Sequence, residues 1–335
     1  MKIAIDAMGA EKGINIVIEG TLKAINENSQ IEAILVGDKK KIEDKVEEFH
    51  LKKFPFIIKH ASQVVSMNDF AISSLKKKRD SSINVALDIL KRGEADALVS
   101  AGNTGAVMAA SLLKIGRLRG VERPCLAVLL PTIVEDKRVV LLDAGANVSS
   151  RANHLFQFAI MGSVYVYRIL KEKEPRVGLL NIGEEENKGN DLAIQTFKLL
   201  KQSSLNFVGN IEGRDITSGK VDVVICDGFI GNIILKFAEG FAKTTLSIVN
   251  REIKKSLLKT EKKDYSLLLL KNLNKSFDYA EYGGVPLLGV NKTCIIAHGA
   301  SSSKAIKNAI LTAYEFSKVE INKYIEKALT ENKPY

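Results

Sequence analysis

Ala97-Leu98-Val99-Ser100-Ala101-Gly102-Asn103-Thr104-Gly105-Ala106 decides the fold class. A short apolar run stops on the Ser100 hydroxyl. Gly102 and Gly105 let the chain turn, and Asn103 or Thr104 can cap a helix over 105–115. A buried strand, a tight polar turn and a helix make the repeating unit of a parallel sheet.

The same order recurs in both directions along the 335 residues. Strands are predicted over 3–7, 33–37, 56–60, 97–100, 126–130, 139–143, 177–181, 207–209, 221–226 and 293–297. Helical periodicity fills most of the gaps, as in 83–91 and 154–170. This predicts an α/β chain: three layers, α/β/α, on a mainly parallel, Rossmann-like sheet. Two segments break the rhythm. One is the polar stretch 62–82, with Lys76-Lys77-Lys78-Arg79. The other is 231–282, about fifty residues of helical pattern, too long for one crossover helix and read as a projecting helical pair. Residues 1–335 are expected to form a single catalytic domain.

The predicted strands end alike, on small and polar residues, and in a parallel sheet those ends share the edge where ligands bind. They include Asp6-Ala7-Met8-Gly9, Asp143-Ala144-Gly145-Ala146-Asn147, Asp227-Gly228-Phe229-Ile230-Gly231-Asn232 and His298-Gly299-Ala300-Ser301-Ser302-Ser303. Asn232 can cap a helix from Ile233, and Ser301–Ser303 one from Lys304. Helix starts of this kind present backbone N–H groups to an anion, which suggests a phosphate ligand. In Glu184-Glu185-Glu186-Asn187-Lys188-Gly189-Asn190, Lys188 is the oxyanion or phosphate candidate. His298 is a candidate base or hydrogen-bond donor. The catalytic set is Lys188, His298 and Asn103. The substrate-binding set is Asp6, Gly9, Gly102, Thr104, Asn147, Asn190, Asp227, Asn232 and Ser301.

Composition narrows the function. With 46% hydrophobic and 26% charged residues, the chain has material for a large core and is not disordered. Cys125, Cys226 and Cys294 are far apart in apolar stretches, so neither a zinc site nor a disulfide framework is expected. There is no Walker A, dinucleotide fingerprint or GxSxG elbow. No signal-peptide pattern and no apolar run of ~18 residues is present, so a soluble, cytoplasmic protein is expected. The net charge of +10 suits an anionic partner, while the sparse aromatics disfavour nucleic-acid reading.

These strand-end motifs, in this order, resemble the PlsX family, the acyl-carrier-protein:phosphate acyltransferases. The resemblance is carried by Asp6–Gly9, Ser100–Ala106, Leu142–Asn147, Ala159–Tyr165, Arg176–Gly183, Lys188–Asn190, Gly209–Asp215, Asp227–Asn232, Tyr282–Gly284 and Ala297–Gly299, across 1–320. Ala10-Glu11 stands where the family has Gly-Asp, and Val148-Ser149-Ser150 follows Asn147 in place of the family's acidic residue. The resemblance implies an isocitrate- or isopropylmalate-dehydrogenase-like fold shared with phosphotransacetylases, a homodimer, and neither metal nor organic cofactor. It implies a reaction of acyl carrier protein thioester with inorganic phosphate. The acyl phosphate then feeds a membrane-bound glycerol-phosphate acyltransferase.

Chemistry agrees with that expectation. Positioned phosphate can attack a thioester directly, without a covalent acyl-enzyme. A phosphotransacetylase using short acyl-coenzyme A and a non-catalytic membrane-surface scaffold are the alternatives. The scaffold alternative draws on residues 251–275, where eight basic residues flank Leu267, Leu268, Leu269 and Leu270. Four successive leucines cannot share one helix face, so they are expected to meet the membrane surface or a second subunit. The membrane reading places the protein peripherally at the inner face of the plasma membrane.

Overall fold

The computed structural model describes residues 1–49, 54–257 and 283–332, with backbone alone over 254–257. Its strands divide between two sheets. In the first, β1 (Lys2–Asp6), β2 (Glu32–Gly37), β3 (Phe56–His60), β4 (Ala97–Ser100) and β12 (Thr293–Ile296) run parallel. β11 (Val285–Leu288), antiparallel to β12, and β5 (Cys125–Leu126), antiparallel to β11, extend it, giving the order β3-β2-β1-β4-β12-β11-β5. The second has the order β6-β7-β10-β8-β9. Here β7 (Arg138–Leu142), β10 (Val223–Ile225), β8 (Val177–Leu180) and β9 (Phe207–Ile211) are parallel, and β6 (Val128–Pro131) is antiparallel.

Period-2 alternation assigns each face of the first sheet. Ile3, Ile5, Leu35, Val99 and Ile295 pack with Val17 and Ile18 of α1 (Ile14–Glu27) and Ile306 and Ile310 of α9 (Ser303–Val319). Their alternates Ala4, Ile34, Leu98 and Ile296 pack with Leu87 of α4 (Ser82–Lys91) and Val107 of α5 (Thr104–Lys114). Val139, Leu141 and Val224 of the second sheet join that same cluster, so one continuous core runs between the sheets. The second sheet's other face carries α6 (Ala152–Tyr165), α7 (Asp191–Lys201) and α10 (Ile321–Glu331) through Phe158, Phe197 and Ile325. Strands buried on both faces need apolar residues throughout, which is why they read as continuous runs.

Three details differ from expectation. The run 126–130 is not one strand: it is interrupted at Ala127, with Leu126 in one sheet and Val128 in the other. Strand β11 is not among the predicted strands; its Pro286, a residue that disfavours strands, is tolerated in an antiparallel pair with Ile295. The helix expected from Ile233 begins at Gly228 as α8 (Gly228–Leu257). Asp227, not Asn232, is its cap, accepting the amides of Phe229 (2.9 Å) and Ile230 (3.0 Å). Asn232 therefore lies inside the helix. The rest of the expected helical pair, with Leu267–Leu270, lies outside the described residues. The polar stretch 62–82 contains a short helix, α3 (Ala71–Lys77).

Candidate active site

Parallel strands bring the sequence-predicted residues to two strand-end edges, one in each sheet. Four of these ends lead into helices. In the first sheet the starts of α5 and α9 follow the adjacent strands β4 and β12. In the second, the starts of α8 and α7 follow the adjacent strands β10 and β8. Helix starts thus come in neighbouring pairs, and such starts favour anions except at α8, whose first amides are taken by the Asp227 carboxylate.

The first edge is built on Asp6, fully buried at the end of β1. It accepts hydrogen bonds from the Ser100 hydroxyl (2.7 Å) and the Met8 amide (3.1 Å). Burial pushes its carboxyl up, opposed by the hydroxyls of Ser82 and Ser100 and the amides of Met8 and Gly9. Gly9 lies against Gly102 so closely that a Cβ on it would come 2.6 Å from both Asp6 Oδ2 and Gly102 Cα. Asn103 caps α5, accepting from the Ala106 amide at 2.9 Å. Its Nδ2 donates to the carbonyls of Ser66 (3.3 Å), Met67 (2.9 Å) and Asp69 (3.2 Å). Thr104 begins the helix with its side chain exposed. The His298 loop reaches the same place: Gly299 abuts Met67, and the Glu11 amide donates to the Gly299 carbonyl at 3.0 Å. His298 is exposed and accepts the Ala300 amide on Nδ1 at 3.1 Å. Ser302 caps α9. Neighbouring Ser301 is fully buried, its hydroxyl without a partner among the described residues.

The second edge repeats the arrangement around Asp143. Its carboxylate takes the amides of Leu126 (2.9 Å), Ala146 (3.0 Å) and Asn147 (2.8 Å), and Asn147 Nδ2 (2.9 Å). Burial pushes Asp143 up against these donors. Asn147 Nδ2 also donates to the Pro124 carbonyl at 2.8 Å, so this side chain ties loops together. Asn232 packs over Gly145, whose φ of 127° favours glycine. In the loop after β8, which neighbours β10, Asn190 caps α7 by accepting from the Ala193 amide at 3.0 Å. Lys188 is exposed, its Nζ 3.9 Å from Glu185. The two basic candidates thus stand on loops of different sheets.

Sequence reading missed an apolar feature of the second edge. Val148, Ile182 and Phe229, at the ends of adjacent β7, β8 and β10, are 81%, 80% and 57% exposed. The signal was present as Asn147-Val148, Asn181-Ile182 and Asp227-Gly228-Phe229, each an apolar residue placed just beyond a polar one. Among the described residues no cluster of three or more His, Cys, Asp or Glu is arranged to hold a metal. No helix there is long and apolar enough to cross a membrane.

A family model described as fatty acid synthesis protein matches residues 1–324. The chain belongs to this family. Curated relatives include the phosphate acyltransferases of Thermoanaerobacterium thermosaccharolyticum, 46% identical over 98% of this chain and 97% of that protein, and of Campylobacter concisus, 48% identical over 98% of each. A member of this family, the chain is an acyltransferase enzyme of the phosphate acyltransferase group. Among solved structures, a phosphotransacetylase from Streptococcus pyogenes superposes with a TM-score of 0.62 at 15% identity, covering 97% of this chain and 94% of that one. A 4-hydroxythreonine-4-phosphate dehydrogenase from Klebsiella pneumoniae does so at 0.51 and 12% identity, covering 94% and 98%. Those likenesses establish a shared α/β fold.

Proposed function

We propose that this family member transfers a long-chain fatty acyl group from an acyl carrier protein thioester to inorganic phosphate. The observation that carries the reading is the exposure of three apolar side chains, Val148, Ile182 and Phe229, in the segments that follow neighbouring strands of an edge with paired helix starts. Helix starts suit phosphate, and exposed apolar side chains at a ligand edge suit an alkyl chain. A phosphate oxygen attacks the thioester carbonyl; the C–O bond forms, the C–S bond breaks and the thiolate leaves. The proton of hydrogen phosphate passes to the departing sulfur, with His298 as its carrier, giving acyl phosphate and free thiol. Lys188 and helix-start amides stabilise the oxyanion.

Direct attack is favoured by the cysteines. Cys125, Cys226 and Cys294 are buried, and burial pushes the thiols of Cys125 and Cys226 far up and that of Cys294 to about 12. Thiolate nucleophiles are poorly available there.

The chain works in this reading as a single catalytic domain and a homodimer. The dimer is supported by Phe237 and Phe241, exposed and stacked at 5.7 Å on α8. In this reading the leucines at 267–270, outside the described residues, serve contact with the inner face of the plasma membrane, where a membrane-bound glycerol-phosphate acyltransferase consumes the product. Trapping the product as a hydroxamate tests the reaction. Signal from palmitoyl carrier protein with phosphate, far above that from acetyl-coenzyme A, is expected; the reverse preference would make the enzyme a phosphotransacetylase.

A further inference from the structure

The loop that Asn103 and Gly299 hold leads directly into α3, and α3 has two unlike faces. Ser74 and Leu75 are buried, while Ile72, Ser73, Lys76 and Lys77 are exposed together, as positions one turn apart on one face must be. Phe70, just before the helix, is 86% exposed, the most exposed large apolar side chain among the described residues; Ile72 is 60% exposed. Leaving both in water is unfavourable unless something covers them.

The charges around them are sorted. Lys78 turns inward, its Nζ donating to the Val64 carbonyl at 2.8 Å and to Asp69 at 2.5 Å. Asp69 is thereby neutralised. Asp80 accepts the amide (2.8 Å) and hydroxyl (2.6 Å) of Ser62. Lys76, Lys77 and Arg79 are exposed and make no ion pair among the described residues. An aromatic and an aliphatic side chain bordered by exposed cations have the anatomy of a protein interface: an apolar anchor with a charged rim.

We propose that Phe70, Ile72, Lys76, Lys77 and Arg79 dock the acidic protein that presents the acyl thioester. The proposal rests on the carrier-protein reading given above and adds the surface. Three features choose the occupant. The cations demand an acidic partner and steer it. The apolar pair demands one with a complementary apolar face. The patch is also continuous with the first edge, because Asn103 ties the carbonyls of Met67 and Asp69 to the start of α5. A thioester on a flexible arm would enter the strand-end edge from there.

The test uses the full-length enzyme, a Lys76→Glu/Lys77→Glu/Arg79→Glu variant and, separately, Phe70→Ser. All four side chains are exposed, so folding is expected to be unchanged by circular dichroism. Steady-state rates with palmitoyl carrier protein should show its KM raised tenfold or more in the triple variant. In wild type that KM should rise with added salt. At saturating carrier, kcat and the KM for phosphate should stay within twofold. An unchanged carrier KM, or an equal rise in the phosphate KM, overturns the proposal. Loss of binding to anionic phospholipid vesicles with carrier kinetics intact overturns it in favour of a lipid partner. If wild type gives no acyl phosphate from the carrier thioester, the functional reading beneath fails, and the surface with it.

Discussion

The side-chain amide of Asn103 donates to the Met67 carbonyl at 2.9 Å, joining the start of α5 to the loop beneath Gly299. Asn103 therefore fastens this loop as well as capping α5, while Lys188 and His298 are exposed. Asn103→Ala, Lys188→Ala and His298→Ala should each lower kcat/KM about tenfold or more, equivalent to ~1.4 kcal/mol. Asn103→Ala should also lose stability, by about 1 kcal/mol for the cap. Paired kinetics and thermal melts check this; full activity in all three would remove these residues from the site.

The exposed apolar side chains of the second edge make a prediction about chain length. Val148→Ser/Ile182→Ser should lower kcat/KM for a palmitoyl thioester several-fold, since each buried methylene is worth ~0.8 kcal/mol. An acetyl or butyryl thioester should be affected less than twofold. The readout is the ratio between long and short substrates. An unchanged ratio would mean the alkyl chain lies elsewhere.

At the opposite ends of the second sheet, Asp222 joins the starts of three strands. It pairs with Arg176 (Nε, 3.0 Å), which precedes β8, and Lys137 (2.9 Å), which precedes β7. Burial pushes this carboxyl up, but the bonds from Arg176 and Lys137 outweigh burial and hold it below the ordinary 3.8. A depressed folded value means the stabilisation is present above that ordinary value and is lost as pH falls through the lower, folded one. Asp222→Asn should cost about 3 kcal/mol at pH 7 in urea denaturation. The gap to wild type should close as the pH drops below 3.8. A gap that ignores pH would exclude ion pairing as its source.

Two double variants separate dimer from membrane. Phe237→Glu/Phe241→Glu, on the exposed face of α8, should convert the protein to monomer in sedimentation equilibrium. Leu268→Glu/Leu269→Glu should abolish vesicle co-sedimentation with the dimer intact. Monomer formation by the leucine variant, with vesicle binding kept, would assign those leucines to the subunit interface.

Much of the fold was legible because its strands are buried on both faces and its helices carry one apolar stripe. Asp6, Asn103 and Asn190 were found because turns and caps demand particular chemistry at fixed positions. The start of α8 was misplaced by several residues because Asp227 and Asn232 are both competent caps. Only contact with the other strand ends chooses: a Cβ on Gly231 would stand 1.9 Å from the Asp143 carbonyl oxygen. Strand β11 escaped because its proline is accommodated by tertiary pairing. The division into two sheets left no local signal, since 126–130 is apolar throughout.

That short stretch has a mechanical meaning. Leu126 belongs to the first sheet, yet its amide is bonded to Asp143 and its carbonyl to the Ala144 amide (3.0 Å), both at the end of β7. Ala127 is bonded to the Pro286 carbonyl at 3.1 Å, and Val128 pairs with Leu141. The ends of the two sheets are therefore fastened to each other at Leu126 and Ala127, so that any movement of one sheet against the other must turn about this stretch or break its hydrogen bonds.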